Sequence, residues 1–322
     1  PAGGNYLVTE PETITLLPVQ IGAVEGGLVC AGFRRPGRAA AVALGMLLWV
    51  GLVVPAAASE DPATDALWEL NIAAFGRYGP SYPAAEDSQG NFVPLPFPVY
   101  RGTFLRIGDD TDSPIRGRIF RTDKIKLDID FDLVFGSESD DISARTGMPD
   151  LDLLLELGPE LELQFVDRGW LAADAFLAFQ VRGAFSWDGL DPAYEGLVYS
   201  PELKFTRKFG DSGREAKLRI TPTFATDGYM DYYYAVTPAF ATAERPAFAA
   251  GGGYLGTEIA VSLRIPVARR LELWGGIRQG FYQGARNEES PLFTDDSTTT
   301  FYGAFMYRFW QSERRAETAP ED

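Results

Sequence analysis

Histidine is absent from the 322 residues and cysteine occurs once. Without histidine there is no Ser/His/Asp triad, no Cys/His pair and no imidazole-ligated zinc or haem, so the common hydrolytic and metal chemistries are excluded by inventory. Basic residues are few: 29 Lys and Arg stand against 45 Asp and Glu, a formal charge of -16. That balance repels phosphate backbones, and nucleic acid is not an expected partner. Long apolar runs are also missing after Ser59, where no stretch approaches the ~18 residues of a spanning helix.

Upstream of Ser59 the pattern differs. Arg34, Arg35 and Arg38 precede an uncharged apolar run from Ala39 to Val54, then Pro55, Ala56-Ala57-Ala58 and Ser59 ahead of Glu60. A positive end, an apolar stretch and small residues at a peptidase site are the order of a secretory signal, expected over 34–58 with cleavage between Ala58 and Ser59. An uncleaved anchor is the alternative, and the helix-breaking Pro55 weighs against it. Residues 1–33 read as an over-extended start with no fold. Cys30 lies there, so the 264 residues after the cut hold no thiol. Residues 59–66 are expected to form a linker, 67–310 the folded body and 311–322 a charged tail.

The body reads with period two. From Lys124 to Phe135, Ile125, Leu127, Ile129, Phe131, Leu133 and Phe135 share one face, while Lys124, Lys126, Asp128, Asp130 and Asp132 share the other. A helix would scatter those charges around its circumference, whereas a strand sorts them. Asp150 to Leu157 and Glu160 to Phe165 alternate likewise, and Gly158-Pro159 between them predicts a hairpin turn. Further strands are expected over 67–78, 99–107, 115–121, 170–181, 197–209, 216–224, 258–265, 271–281 and 299–310. Ten-residue alternating segments behind a signal peptide predict an all-β, transmembrane antiparallel barrel of roughly 10 to 12 strands, whose closure satisfies every backbone group in lipid. Trp68, Tyr78, Tyr100, Trp170, Trp187, Tyr199, Trp274, Tyr282 and Tyr307 are candidate girdle residues. Phe301, Phe305, Tyr307 and Phe309 give the last strand an aromatic face.

Other motifs carry less. Gly251, Gly253 and Gly256 spell G-x-G-x-x-G, but a strand pattern follows where the dinucleotide fingerprint needs a helix, so a glycine turn is expected. Asp109, Asp110 and Asp112 lack the Gly and terminal Glu of a calcium loop and read as a solvated acidic loop. The carboxylate pairs Asp150/Asp152 and Glu160/Glu162 have same-face spacing, yet Lys124, Lys126, Lys204, Lys217, Arg219 and Arg278 fall on inward positions too. A lumen laced by ion pairs is the expected result. No catalytic, cofactor-binding or metal-ligating residues are expected.

Four stretches occur in order: Tyr78-Gly-Pro-Ser-Tyr-Pro83, Pro94-Leu-Pro-Phe-Pro-Val-Tyr-Arg101, Gly147-Met-Pro-Asp150 and Gly228-Tyr-Met-Asp-Tyr-Tyr-Tyr-Ala-Val-Thr-Pro238. With Arg245-Pro-Ala-Phe248, Gly251-Gly-Gly-Tyr254, Ser290-Pro-Leu292 and Tyr307-Arg-Phe309, they resemble the MipA/OmpV family from about Trp68 to Phe309. The resemblance implies an outer-membrane barrel in a Gram-negative envelope. It also implies a non-enzymatic scaffold that brings a periplasmic murein hydrolase, a lytic transglycosylase, together with a murein synthase, a bifunctional penicillin-binding protein. A small-solute channel with cation bias is the alternative.

Two segments are candidate partner-facing surfaces. Tyr229, Tyr232, Tyr233 and Tyr234 fall outside the alternating strands and could face a partner or pack on the barrel mouth. Pro94, Pro96 and Pro98 lie two apart, so their missing donors all face one neighbour. They are expected to form a seam, or preferably an extended stretch at the rim with regular pairing beginning near Val99.

Overall fold

The computed structural model describes residues 66–108, 115–168, 172–188 and 191–316. The export signal, residues 59–65, the Asp109/Asp110/Asp112 loop, Trp170 and the end of the tail lie outside the described residues. Twelve antiparallel strands form one closed barrel. They are β1 (Trp68–Pro80), β2 (Ser88–Arg101), β3 (Leu105–Ile107), β4 (Ile115–Arg121), β5 (Ile125–Val134), β6 (Leu153–Val166), β7 (Asp174–Asp188), β8 (Asp191–Lys208), β9 (Glu215–Ala225), β10 (Gly253–Ala268), β11 (Leu271–Phe281) and β12 (Ser297–Gln311). Each strand pairs with its chain neighbours, and β1 closes on β12. Among the described residues one α-helix, α1 (Asp227–Tyr234), sits between β9 and β10.

Alternation decides which side chains meet lipid. In β1, Trp68, Leu70 and Ile72 are exposed while Glu69 and Asn71 between them are buried. In β12, Phe301, Phe305, Tyr307 and Phe309 are exposed. Apolar outside and polar inside is the inverse of a soluble protein, and it is the pattern of a wall solvated by hydrocarbon. Among the expected girdle residues, Trp68, Tyr78, Trp187, Tyr199 and Tyr307 are exposed, and Tyr100 stacks on Trp68 with ring centroids 4.3 Å apart. Two depart from expectation. Trp274 shares the inward face and lies 5.2 Å from Tyr302, and Tyr282 is buried in the β11–β12 loop.

Both ends of the described chain share one rim with the short turns, and the long loops 81–87, 135–152, 226–252 and 282–296 share the other. Short turns mark the periplasmic end of a bacterial barrel and long loops the extracellular end. Charge follows the same division. Among the described residues, the short-turn rim exposes eight cations, Arg121, Lys124, Arg168, Lys208, Arg269, Arg270, Arg314 and Arg315, against the acids Asp123, Asp167 and Glu313. The long-loop end exposes twelve acids, Glu86, Glu138, Asp140, Asp141, Asp150, Asp191, Asp227, Asp231, Glu244, Glu288, Glu289 and Asp296, against one exposed cation, Arg286.

Three expectations are corrected. Gly158-Pro159 makes no turn: β6 runs straight through it, with Asp130 opposite Gly158 and Ile129 opposite Pro159 on β5. Gln164 N–H donates to the Lys124 carbonyl just ahead of β5, so even positions face β5 and Pro159 faces β7. There the ladder skips from Leu157 to Glu160. Gly158 is needed because a Cβ would collide with the Val181 carbonyl of β7. The single strand expected over 99–107 is instead the end of β2, a turn and β3. Gly253 and Gly256 belong to β10 at a register shift rather than to a turn.

The prolines are also not at the rim. β2 pairs with β1 from Ser88 onward, with Pro94 opposite Ala74, Pro96 opposite Ile72 and Pro98 opposite Leu70. Arg101 N–H donates to Leu67 and Gly102 N–H to Leu105, so odd positions of β2 face β1 and even ones face β3. Among the described residues β3 pairs with β2 at Tyr100 and Arg101 alone. All three prolines therefore turn their missing donors toward the β3 side, where among the described residues no ladder reaches them. This is the seam, and it lies within the wall.

Candidate functional site

The inward faces of β4 to β11 meet in a charged lumen. Lys126 pairs with Glu162 at 2.5 Å, and Lys204 pairs with the same carboxylate. Arg182 reaches Glu156 at 3.0 Å and Asp130 at 3.5 Å, Arg116 reaches Asp128 at 3.5 Å, and Arg278 reaches Glu258 at 3.5 Å. Gln180 donates to Glu160 at 2.8 Å. On the far wall Glu69 takes both Arg101 at 2.9 Å and Arg308 at 3.4 Å. These long side chains leave a cavity of about 140 Å³ lined by Lys126, Asp130, Glu160, Arg182, Lys204 and their neighbours. Inside a wall of low polarizability each charge needs a partner, because an unpaired buried charge costs several kcal/mol. Glu160 and Glu162 therefore act as cross-strand ties. The other expected pair stays out of the lumen: Asp150 lies in a loop and accepts the Ser139 amide at 2.6 Å. Lys124 lies in the β4–β5 turn, exposed.

Above the lumen, at the long-loop mouth, sits the tyrosine run. Tyr229 and Tyr233 are four residues apart, as are Met230 and Tyr234, so one face of α1 buries all four while Asp227 and Asp231 face out. The buried face packs on Tyr82, Ile142, Leu151, Leu154, Leu255 and Leu292, drawn from three loops and the tops of β6 and β10. Burying apolar side chains of this size contributes roughly 1.5–3 kcal/mol each. Gly196 of β8, at φ +129°, seats the helix, since a Cβ there would meet Thr226 and Tyr229.

Four tyrosine hydroxyls each tie a different part of the mouth. Tyr229 donates to Glu156 at 2.9 Å, Tyr232 to the Asp152 carbonyl at 2.8 Å, Tyr234 to the Pro83 carbonyl at 2.8 Å and Tyr82 to the Leu292 carbonyl at 2.5 Å. Arg145, itself buried, donates to the Tyr233 carbonyl at 3.3 Å and lies 5.9 Å from the Tyr82 ring centroid. Burial pushes the Tyr82 hydroxyl up to about 12 and raises Tyr229, Tyr232, Tyr233, Tyr234 and Tyr282 as well, since ionising any of them would place a charge in this apolar cluster.

The candidate partner-facing residues are thus neither together nor free. Tyr229, Tyr233 and Tyr234 are buried in a lid, Tyr232 is half-buried, and Pro94, Pro96 and Pro98 line the lipid face of β2. Sequence reasoning missed Tyr82, Arg145 and Leu292, which lie in loops without periodicity. The spacing of Tyr229 with Tyr233 and of Met230 with Tyr234 was the available sign of the lid helix.

The outer membrane phospholipase A from Escherichia coli is similar in structure at 8% identity and a TM-score of 0.32, covering 74% of this chain and 92% of that one. A Pseudomonas aeruginosa FadL homologue is similar at 8% identity and TM-score 0.30, covering 76% and 91%. The CymD monoaromatic hydrocarbon channel is similar at 9% and 0.31, covering 85% and 93%. No curated protein matches the sequence. The family described as MltA-interacting protein MipA matches residues 72–309, from within β1 to within β12. With a closed twelve-stranded wall, an apolar outer face and this match, the chain is an outer-membrane β-barrel that belongs to the MipA family.

Proposed function

We propose that the protein is a non-enzymatic scaffold, which presents its periplasmic face to a murein hydrolase of the lytic transglycosylase class and to a murein synthase. The observation that carries this reading is the joint occupation of the lumen: ion-paired side chains narrow it to a cavity of about 140 Å³, and Tyr229 binds the same Glu156 that holds Arg182. A barrel filled in this way has its working surfaces at its ends rather than along its axis. The family's description as MltA-interacting supplies the partner class. The periplasmic end carries the turns that such an enzyme would meet. The test is co-sedimentation of the reconstituted barrel with a purified lytic transglycosylase, alongside planar-bilayer recording. Saturable binding with no steady conductance is expected; large cation-selective steps without binding would replace the scaffold by the channel reading.

A further inference from the structure

The division of charge along the barrel axis points to a second binding surface. On a chain of net charge -16, the short-turn rim is locally basic. Its cations come from four successive turns and from the end of β12: Lys124, Arg168, Lys208, Arg269, Arg270 and Arg314 among them. They are spread around the circumference, so they form an annulus rather than a patch. A docked protein covers one side of a rim, whereas an annulus fits a ligand that surrounds the barrel.

Depth argues the same way. Arg121 adjoins the lipid-exposed Phe120, Arg168 follows the exposed Phe165 by three residues, Arg269 follows the exposed Val267 by two, and Arg314 follows the exposed Trp310 by four. At roughly 3.3 Å per residue along tilted strands, the cations lie within ~10 Å of the edge of the apolar band, which is headgroup depth. Guanidinium groups bind phosphate oxygens in bidentate fashion and suit this position better than any acceptor-only group. We propose that this rim binds the phosphates of anionic glycerophospholipid in the leaflet it faces, as an annular site independent of any protein partner.

The test uses the mature barrel carrying Trp170→Phe, Trp187→Phe and Trp274→Phe, so that the exposed Trp68 and Trp310 alone report on the short-turn end. It is reconstituted in vesicles with brominated phosphatidylglycerol or brominated phosphatidylcholine. Competitive quenching is expected to show about a threefold or greater preference for the anionic lipid, lost at high salt. The preference is expected to fall to about one in R269E/R270E/R314E/R315E, provided this variant keeps its heat-modifiable gel shift. If the variant does not fold, the salt titration of the parent decides. Equal quenching by both lipids, or a preference that survives both salt and substitution, would overturn the proposal. So would equal quenching combined with rim-dependent co-sedimentation on murein sacculi, which would assign the annulus to the acidic cell-wall polymer.

Discussion

Tyr229 and Arg182 meet on Glu156, the hydroxyl 2.9 Å from one carboxylate oxygen and the guanidinium 3.0 Å from the other. A single buried carboxylate thereby joins the lid helix to the ion pairs of the wall. Lid and lumen are one structure because of it.

Replacing Tyr229 with Phe keeps the ring and removes the bond. A hydrogen bond to a charged group contributes ~1.5–3 kcal/mol, so the urea midpoint should fall by a corresponding amount and protease cleavage within 235–252 should accelerate. Unchanged cleavage would show that the lid holds without Glu156.

Arg182→Met should cost more, ~3–5 kcal/mol, because it takes the guanidinium charge away from both Glu156 and Asp130 in the wall. Arg182→Lys should recover only part of this, since one ammonium cannot serve two carboxylates as the fork does. Combined with Tyr229→Phe, the losses should be non-additive, as both act on Glu156. Strict additivity in equilibrium unfolding would contradict the shared carboxylate.

The buried tyrosines set an alkaline limit. Their folded pKa values stand above the ~10 of an unfolded tyrosine. Their stabilising contribution is therefore complete below pH 10 and is lost as pH rises through about 12, where Tyr82 ionises. Of the 14 tyrosines, the lid group should give no tyrosinate absorbance until the barrel opens. A single transition near pH 10 for all of them, with the heat-modifiable shift intact, would be the contrary result.

Strand parity makes a backbone prediction on β2. Pro96→Ala restores a donor on the side without a ladder and should change stability by under ~1 kcal/mol. Leu95→Pro removes a donor facing Ala73 of β1 and should cost at least the ~1–3 kcal/mol of an unsatisfied group. Equal effects would mean that the β1 ladder does not follow this parity.

The wall was legible because lipid on one side and a polar lumen on the other impose strict alternation, as at Ile125 to Leu133. Parity alone puts the three proline donors on one neighbour, but it carries no information on where the strand sits along the axis, and so cannot tell the rim from the wall. Gly158-Pro159 misled for a related reason: locally it is turn chemistry, and only β5 and β7 on either side hold it extended. The ion-paired lumen followed from inward charges of both signs. Packing of the tyrosine run on the mouth was one of its two readings, but the partners were not legible, because Tyr82, Arg145 and Leu292 converge from loops whose contacts lie far apart in sequence.

The joint between β1 and β12 bears on how the chain folds. Trp68 N–H donates to the Ser312 hydroxyl across 244 positions, Leu67 N–H donates to Arg314, and Ala66 bridges to Arg315. No closed wall can exist until β12 has left the ribosome and crossed the inner membrane. Until then each strand edge is an open template for misassociation, and contacts this distant in sequence form slowly. Loss of only the residues after Tyr307 would leave the chain nearly full length yet without the segment that ends this interval, so its folding should be governed by its final turn of sequence rather than by its average stability.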